Sequence, residues 1–503
     1  MIIKHRSIHI LALLWLSISI AIFLLAWCRW YYSIPLVLSM IFLHCQFFKE
    51  LSDTKSITIS KKTIFLAALI VIVMVISTGV GGYVVQPNDH YYRNSWFIDI
   101  INYDWPVYDA KEKLYMCYYF TFWLVPALFG KIFNSVDIGF FAQMVWMSIG
   151  FFLLFLEICI HVRKVKIGIL FIFFFFTGWK IIECLLYFPV FGGDTIRNTF
   201  LALSINGSPG VFHAGPIVQL LYDPFNQTVP LFLAMMLLLN NRNTKVLSFI
   251  YAMVLYYAPF PFVGLLPIFL YLFIKNTDFS SAKKWLYSWM SLANIVSIIQ
   301  ILFIGLFYLA NINASHRGIR PSTNLSADIY SFILYLIFEF LIFYFIARQF
   351  CEDKRMYWIA FLSICVLGWF QIGAHNDFCF RSNMPLIFIT CLMMIKAFYG
   401  VTDKWKKWLI VGVLLVGAIP TQIHPCLRYL STYFVMTNQD QAVLNDYQSF
   451  YDIKSMYVMQ QKEIRNDDFG SIFGKGPEFD WTVKSLKASP DAFFFKYIAK
   501  DVK

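Results

Sequence analysis

The stretch LYMCYYFTFWLVPALFGKIF, residues 114–133, decides how this chain is threaded. It is apolar, and about 20 mainly apolar residues are enough to cross a bilayer. Beyond the next apolar run stands the basic cluster Arg163, Lys164 and Lys166. Such clusters mark the cytoplasmic ends of spans. If 114–133 crossed the bilayer, this cluster would fall outside, against the pattern of the others. The stretch is therefore read as a helix in or along the outer interface, bent by Pro126 and Gly130. Its Tyr and Trp content suits the headgroup zone.

Composition says how much of the remaining chain is membrane. Its 503 residues are 59% hydrophobic and only 14% charged, with a mean hydropathy of +0.64; soluble domains run nearer about one quarter charged. Most of the chain must face lipid or other apolar helices, so the class is polytopic membrane protein. A net charge of +12 would in a soluble protein suggest nucleic acid. Here the basic residues form short clusters between apolar runs, with no basic-aromatic patch, and no nucleic-acid partner is expected. The ten cysteines lack C-x-x-C or Cys/His spacing and read as small buried hydrophobes. One disulfide among Cys117, Cys379 and Cys426 is left open. The N-terminal MIIKHRSIHILALLWLSISIAIFLLAWCRW starts like a signal peptide but has no small-residue cleavage site, and reads as an uncleaved first helix.

Candidate spans lie near 8–28, 32–48, 63–85, 136–160, 167–190 and 228–241, then near 286–310, 328–347, 357–372, 384–399 and 408–422. Residues 246–274, broken by APFPFVG, are expected as two half-helices around Pro259 and Pro261. The expected fold is all-α, a polytopic bundle of about 11–13 spans with interfacial helices in the first large outer loop. Its parts are residues 1–85, N-terminal transmembrane helices; 86–135, an outer acidic loop with its interfacial helix; 136–422, the helical core; and 423–503, a small extracytoplasmic segment. With the basic clusters inside, the N-terminus is cytoplasmic and the C-terminus outside.

All the polar loops then fall on one side. The first, DHYYRNSWFIDIINYDWPVY, carries Asp89, Asp99, Asp104 and Asp109, with Arg93, Asn94 and Trp105. A carboxylate at a helix end near the interface can act as a general base toward an acceptor hydroxyl. Two together permit a divalent cation without demanding one. The plainer alternative is that acids populate an outer loop free of lipid cost. The second loop offers His213, Asp223, Asn226 and Gln227; an Asn or Gln at a helix start can cap it or bind sugar hydroxyls. His213 alone reads equally as a structural histidine. The third carries His316, Arg317 and Arg320, cations suited to a lipid phosphate or to plain solvation. The fourth holds His375, Asn376, Asp377 and Arg381, the last two spaced to pair on one helix face. Within spans, Lys180 and Glu183 are spaced to pair, while Glu157 and Glu339 read as lone acids of the kind a proton-coupled transporter uses. No P-loop, dinucleotide fingerprint, zinc spacing or G-x-S-x-G elbow appears.

These residues resemble the GT-C superfamily of membrane glycosyltransferases. They are closer still to a group of uncharacterised bacterial membrane proteins with a D…HN…DL…WPV loop, an aromatic stretch ending in PAL-GK, and a later ND-x-x-x-R-x-x-x-P motif. In this chain the motifs read Asp89, Asn94, Asp99 and Trp105-Pro106-Val107; then Pro126-Ala127-Leu128 with Gly130-Lys131; then Asn376-Asp377, Arg381 and Pro385. The tail DAFFFKYIAK is similar too. Two extra spans precede the acidic loop, and Arg93 stands where the group has histidine. The resemblance implies inverting sugar transfer from a polyprenyl-phosphate donor to a glycan, lipid or protein acceptor at the outer face of a bacterial cytoplasmic membrane, in cell-surface polysaccharide biosynthesis. Asp89, with Asp99, would be the catalytic acid pair. Arg320 and Arg381 would hold the lipid phosphate. Two other readings stand beside it: an O-antigen or capsule polymerase or ligase, and a non-enzymatic transporter or flippase of lipid-linked sugars.

Overall fold

The computed structural model describes residues 2–51, 56–84, 86, 89–110, 113–204, 207–311, 317–319, 322, 324–372, 377–437 and 487–501, with side chains described for all of these except 89, 91, 92, 95, 317, 318, 431 and 434–437. Among the described residues, six helices are long and apolar enough to cross a membrane: His5–Trp27, Trp30–Glu50, Val136–Val162, Leu292–Leu309, Leu325–Phe350 and Asp377–Gly400. The pair Lys404–Thr421 and Ile423–Leu430, bent by 41°, makes a seventh if counted as one span. The chain is thus an all-α polytopic helical protein, and its described strands are short, forming two pairs and one three-stranded sheet.

Fewer full-length spans form than the hydropathy pattern suggests, because several apolar runs are short or broken. The run at 63–85 yields helix Lys61–Ser77, the run at 228–241 helix Phe225–Asn240, and the run at 357–372 helix Lys354–Leu367. The run at 167–190 splits into Gly168–Phe174 and Lys180–Phe191. Backbone groups freed by that break find partners on neighbouring segments: Trp179 N–H donates to the Phe338 carbonyl at 3.1 Å, and the Phe176 carbonyl accepts from Ile217 N–H at 3.0 Å. Irregular backbone inside a membrane bundle survives only where other protein satisfies it in this way. Residues 246–274 form Thr244–Tyr257 and Pro259–Lys275. Pro259 opens the second helix, where a missing N–H costs nothing, and two half-helices result as expected.

The deciding stretch 114–133 is not one bent interfacial helix. It forms strand Leu114–Met116, a single 3-10 turn Thr121–Trp123 and a short helix Leu124–Ile132. Pro126 lies in the first turn of that helix, where it is tolerated, and bends nothing. Gly130 instead permits close packing, since a Cβ there would lie 2.9 Å from the Ile101 side chain.

Helix His5–Trp27, about 35 Å long at 1.5 Å per residue, defines two ends. At its C-terminal end the last described segment of the chain folds back onto the bundle. Cys28 bridges to Ala499, and Arg29 N–H donates to the Ile498 carbonyl at 2.9 Å. Lys487–Ala488 joins Leu114–Met116 and Tyr108–Asp109 in a three-stranded sheet, and Asn311 bridges to Ala488. The described parts of residues 423–503 lie against the rest of the chain. Helix Ile423–Thr437 packs on the bundle through Arg428, whose Nη2 donates to the Thr78 carbonyl at 3.0 Å, and residues 487–501 dock on the first long loop. At the other end Ile2–Lys4 pairs with Ser56–Thr58, Lys275 pairs with Asp353, and Lys396 with Glu352 at 2.5 Å. Glu157 is not alone: it accepts from His9 at 2.7 Å and from Asn240 at 2.9 Å, stapling three helices. All ten cysteines are free, Cys117, Cys379 and Cys426 included.

Candidate functional site

The polar loops of the first end meet around two arginines. Helix Asp89–Asn102 opens the acidic loop, and His90, Arg93, Asn94, Phe97 and Ile101 recur at helical spacing on a buried face. Phe97 and Ile101 anchor that face against Val136–Val162, with the Phe97 ring 5.2 Å from that of Phe140. His90 Nε2 donates to the Tyr222 carbonyl, and its ring stacks on Phe225 at 5.3 Å. Arg93, 3% exposed, donates to the Asp223 carbonyl and reaches its carboxylate at 3.2 Å. Asn94 donates to Gln86 Oε1 at 2.6 Å, and Gln86 in turn to the Gly79 carbonyl at 2.6 Å.

The second arginine comes from the fourth loop. In helix Asp377–Ser382 the expected pair forms, with Arg381 Nη2 3.5 Å from Asp377 Oδ1. Arg381 also donates to the Tyr119 hydroxyl, and its guanidinium lies 5.8 Å from the Tyr119 ring and 5.9 Å from that of Phe260. The Tyr118 and Tyr119 ring centroids are 3.7 Å apart. The charges of both Arg93 and Arg381 act on the Tyr118 hydroxyl. Asn226 donates to the Tyr119 carbonyl at 3.1 Å. Neither Asn226 nor Gln227 caps helix Phe225–Asn240. Both are fully buried, and Asn226 Oδ1 and both amide atoms of Gln227 have no hydrogen-bond partner among the described residues. Buried polar atoms are rarely left so, and a hydroxylated ligand would satisfy them.

His213 stacks on Phe380 at 4.8 Å, and its carbonyl accepts from Asn383 at 2.9 Å. Burial, and then the Lys180 ammonium, push its imidazole down to about 3, so it is neutral at physiological pH. Strand Arg317–Ile319 pairs with Phe370–Ile372, Arg317 opposite Ile372, which brings the third loop beside the fourth. The side chains of Asp89 and Arg317, and residues Arg320 and Asn376, lie outside the described set.

Two expected site residues stand apart from the arginine pair. Asp99 is buried with Asp109 and Lys487; Lys487 Nζ lies 2.9 Å from Asp109 Oδ2. Burial, opposed by Lys487 and reinforced by Asp109, raises Asp99 well above the usual carboxylate range. Asp109 holds the ammonium, and Asp99 is its buried neighbour. Trp105 donates from Nε1 to the Ile100 carbonyl at 2.7 Å, packs on Trp27 at 5.3 Å, and carries Lys131 over its ring at 5.3 Å. These contacts make it a wedge that shapes the loop. Among the described residues no three His, Cys, Asp or Glu side chains gather as a metal set.

Sequence reading missed Tyr118, Tyr119 and Lys487. The adjacent tyrosines of YMCYYF were a signal, since hydroxyls in an otherwise apolar run need partners. Lys487 gave none. The chain matches no family model, no curated protein and no solved structure.

Proposed function

We propose that the chain is a GT-C-like glycosyltransferase, moving a sugar from a polyprenyl-phosphate donor to a glycan, lipid or protein acceptor at the outer face of a bacterial cytoplasmic membrane. The observation that carries this reading is the arginine pair. Arg93 and Arg381 are both buried in an apolar helical protein, each is oriented by an acid, Asp223 or Asp377, and the charges of both act on Tyr118. Guanidinium groups fixed in advance stabilise a phosphate that gains charge as it leaves. The unpartnered amides of Asn226 and Gln227 supply groups for sugar hydroxyls.

In this reading the acceptor oxygen bonds to the anomeric carbon while the bond from that carbon to the phosphate oxygen breaks. The lipid phosphate departs with the electron pair. Asp89, first residue of helix Asp89–Asn102, takes the acceptor's hydroxyl proton. Arg320 adds a further cation from the third loop.

Asp89→Asn is expected to lower transfer by about 10²–10⁴-fold, the range for loss of a general base, with folding unchanged by thermal unfolding. Full activity in that variant would remove Asp89 from the mechanism. A second reading, movement of a lipid-linked sugar across the membrane without chemistry, is favoured by one observation, the buried trio Lys180, Glu183 and Glu339. Reconstituted uptake without any glycan product would support it instead.

A further inference from the structure

Lys180 and Glu183 open helix Lys180–Phe191, directly after the break that follows Gly168–Phe174. Glu339 comes from Leu325–Phe350, a helix long and apolar enough to span. The acids meet because the helix widens there into a π turn, Ile337–Leu341, a device that commonly marks functional positions. The meeting is tight: a Cβ on Gly178 would collide with the Glu339 carboxyl. Lys180, Glu183 and Glu339 are all under 5% exposed. The two carboxyls lie within hydrogen-bonding reach of each other, and the ammonium acts on both.

Charge counting then decides the state of the trio. Fully ionised, it carries one negative charge in excess, in surroundings where an uncompensated charge is not sustained. The remaining titratable groups against it are His213, Cys184 and Tyr335, with Cys379 behind Tyr335. None offers a balancing cation, since His213 is neutral. Helix Lys404–Thr421 meets the break through Val413, whose carbonyl accepts from Trp179 at 2.8 Å, and through Gly417 against the carbonyls of Thr177 and Gly178. Two carboxyl groups can also approach each other directly only with a proton between them. Beyond that contact, Glu183 Oε1, Glu339 Oε1 and Thr177 Oγ1 have no hydrogen-bond partner among the described residues.

We propose that Glu183 and Glu339 form an intramembrane proton-binding site, the two carboxyls sharing one exchangeable proton beside the Lys180 ammonium. The site is independent of the transferase reading, and neither acid takes part in sugar transfer.

The test uses full-length protein in lipid nanodiscs and dicyclohexylcarbodiimide, an apolar reagent that modifies carboxyls in their protonated form. The acid's proton passes to a carbodiimide nitrogen, and the carboxylate oxygen bonds to the central carbon. The O-acylisourea rearranges to a stable N-acylurea that peptide mass spectrometry locates. At neutral pH the adduct is expected on Glu183 or Glu339, with a yield that falls as pH rises. Glu339→Gln leaves one ammonium and one carboxylate, a neutral pair needing no proton, so labelling of Glu183 is expected to fall by about tenfold or more, the worth of one pKa unit. Glu183→Gln should protect Glu339 equally, whereas Lys180→Met should increase labelling of both acids. Wild-type protein without adduct, undiminished labelling of the remaining acid in either Gln variant, or protection by sodium ions at fixed pH would each overturn the proposal. Where a variant fails to fold, pH-jump infrared difference spectra of the wild type decide. Recorded also on Asp99→Asn protein, which removes the other buried raised carboxyl, a protonated-carboxyl band that persists in that variant and is lost at raised pH supports the site, and absence of any such band there overturns it.

Discussion

Two clusters in this molecule have the same composition, two carboxyls and one lysine, and differ in who touches whom. At the loop end, Lys487 sits 2.9 Å from Asp109, and Asp99 is the third member, a buried neighbour whose carboxyl is raised well above its usual range. In the bundle, Glu183 and Glu339 touch each other, with Lys180 beside both. Direct contact between ammonium and one acid localises charge and makes a clamp. Contact between the two acids leaves a proton to share. The first cluster ties residues 487–501 to the loop that carries the candidate site, and the second joins two membrane helices.

The clamp breaks most readily at its cation. Lys487→Met strands the Asp109 carboxylate in a buried position, and loss of one partner of such a pair costs about 3–5 kcal/mol. Residues 487–501 should then lose protection from hydrogen exchange while the membrane helices keep theirs. In the inner cluster, Gly178→Ala forces a methyl against the Glu339 carboxyl. Overpacking of that kind costs about 1–3 kcal/mol and should appear as a lower midpoint of thermal unfolding. Arg93→Lys keeps the charge but loses the Nη1 contacts with the Asp223 carbonyl and carboxylate. A loss of about 1 kcal/mol in thermal stability is expected, with weaker donor binding.

The smallest effect concerns pH. Asp99 is raised from an unfolded value of 3.8, so its contribution is fully present below that value and is lost as pH rises through the folded one. Docking of 487–501, followed by limited proteolysis across pH, should weaken over that window. Asp99→Asn should flatten the dependence and change stability at neutral pH by no more than about 1 kcal/mol, favourably if at all.

What the sequence discloses about these regions depends on separation along the chain. Asp377 and Arg381 were legible as a pair because four residues on a helix share a face. The half-helices around Pro259 were legible because proline removes a donor. Arg93 and Asp223 were each visible as polar residues in outer loops, but not as partners. Lys487 with Asp109, Glu339 with Glu183, and His9 with Glu157 join residues that no local periodicity relates. The break at 175–179 was hidden because its residues are nearly as apolar as the helices beside it, and only Thr177 and Gly178 hinted at it. Residues 114–133 misled for a related reason. The apolarity of 116–127 reflects burial in protein, although Phe129, Ile132 and Phe133 are exposed, and burial in protein reads the same as burial in lipid.

Arg381 is the residue to change, because it pairs with Asp377 and donates to the Tyr119 hydroxyl. Lipid-linked sugars would be compared by mass spectrometry in a deletion strain complemented with wild type or with Arg381→Lys. The account predicts that the deletion strain accumulates polyprenyl-phosphate sugar or a truncated glycan, that wild type clears it, and that Arg381→Lys, expressed and folded, clears it about 10²-fold more slowly. A deletion strain with no accumulated donor and no truncated glycan would contradict it.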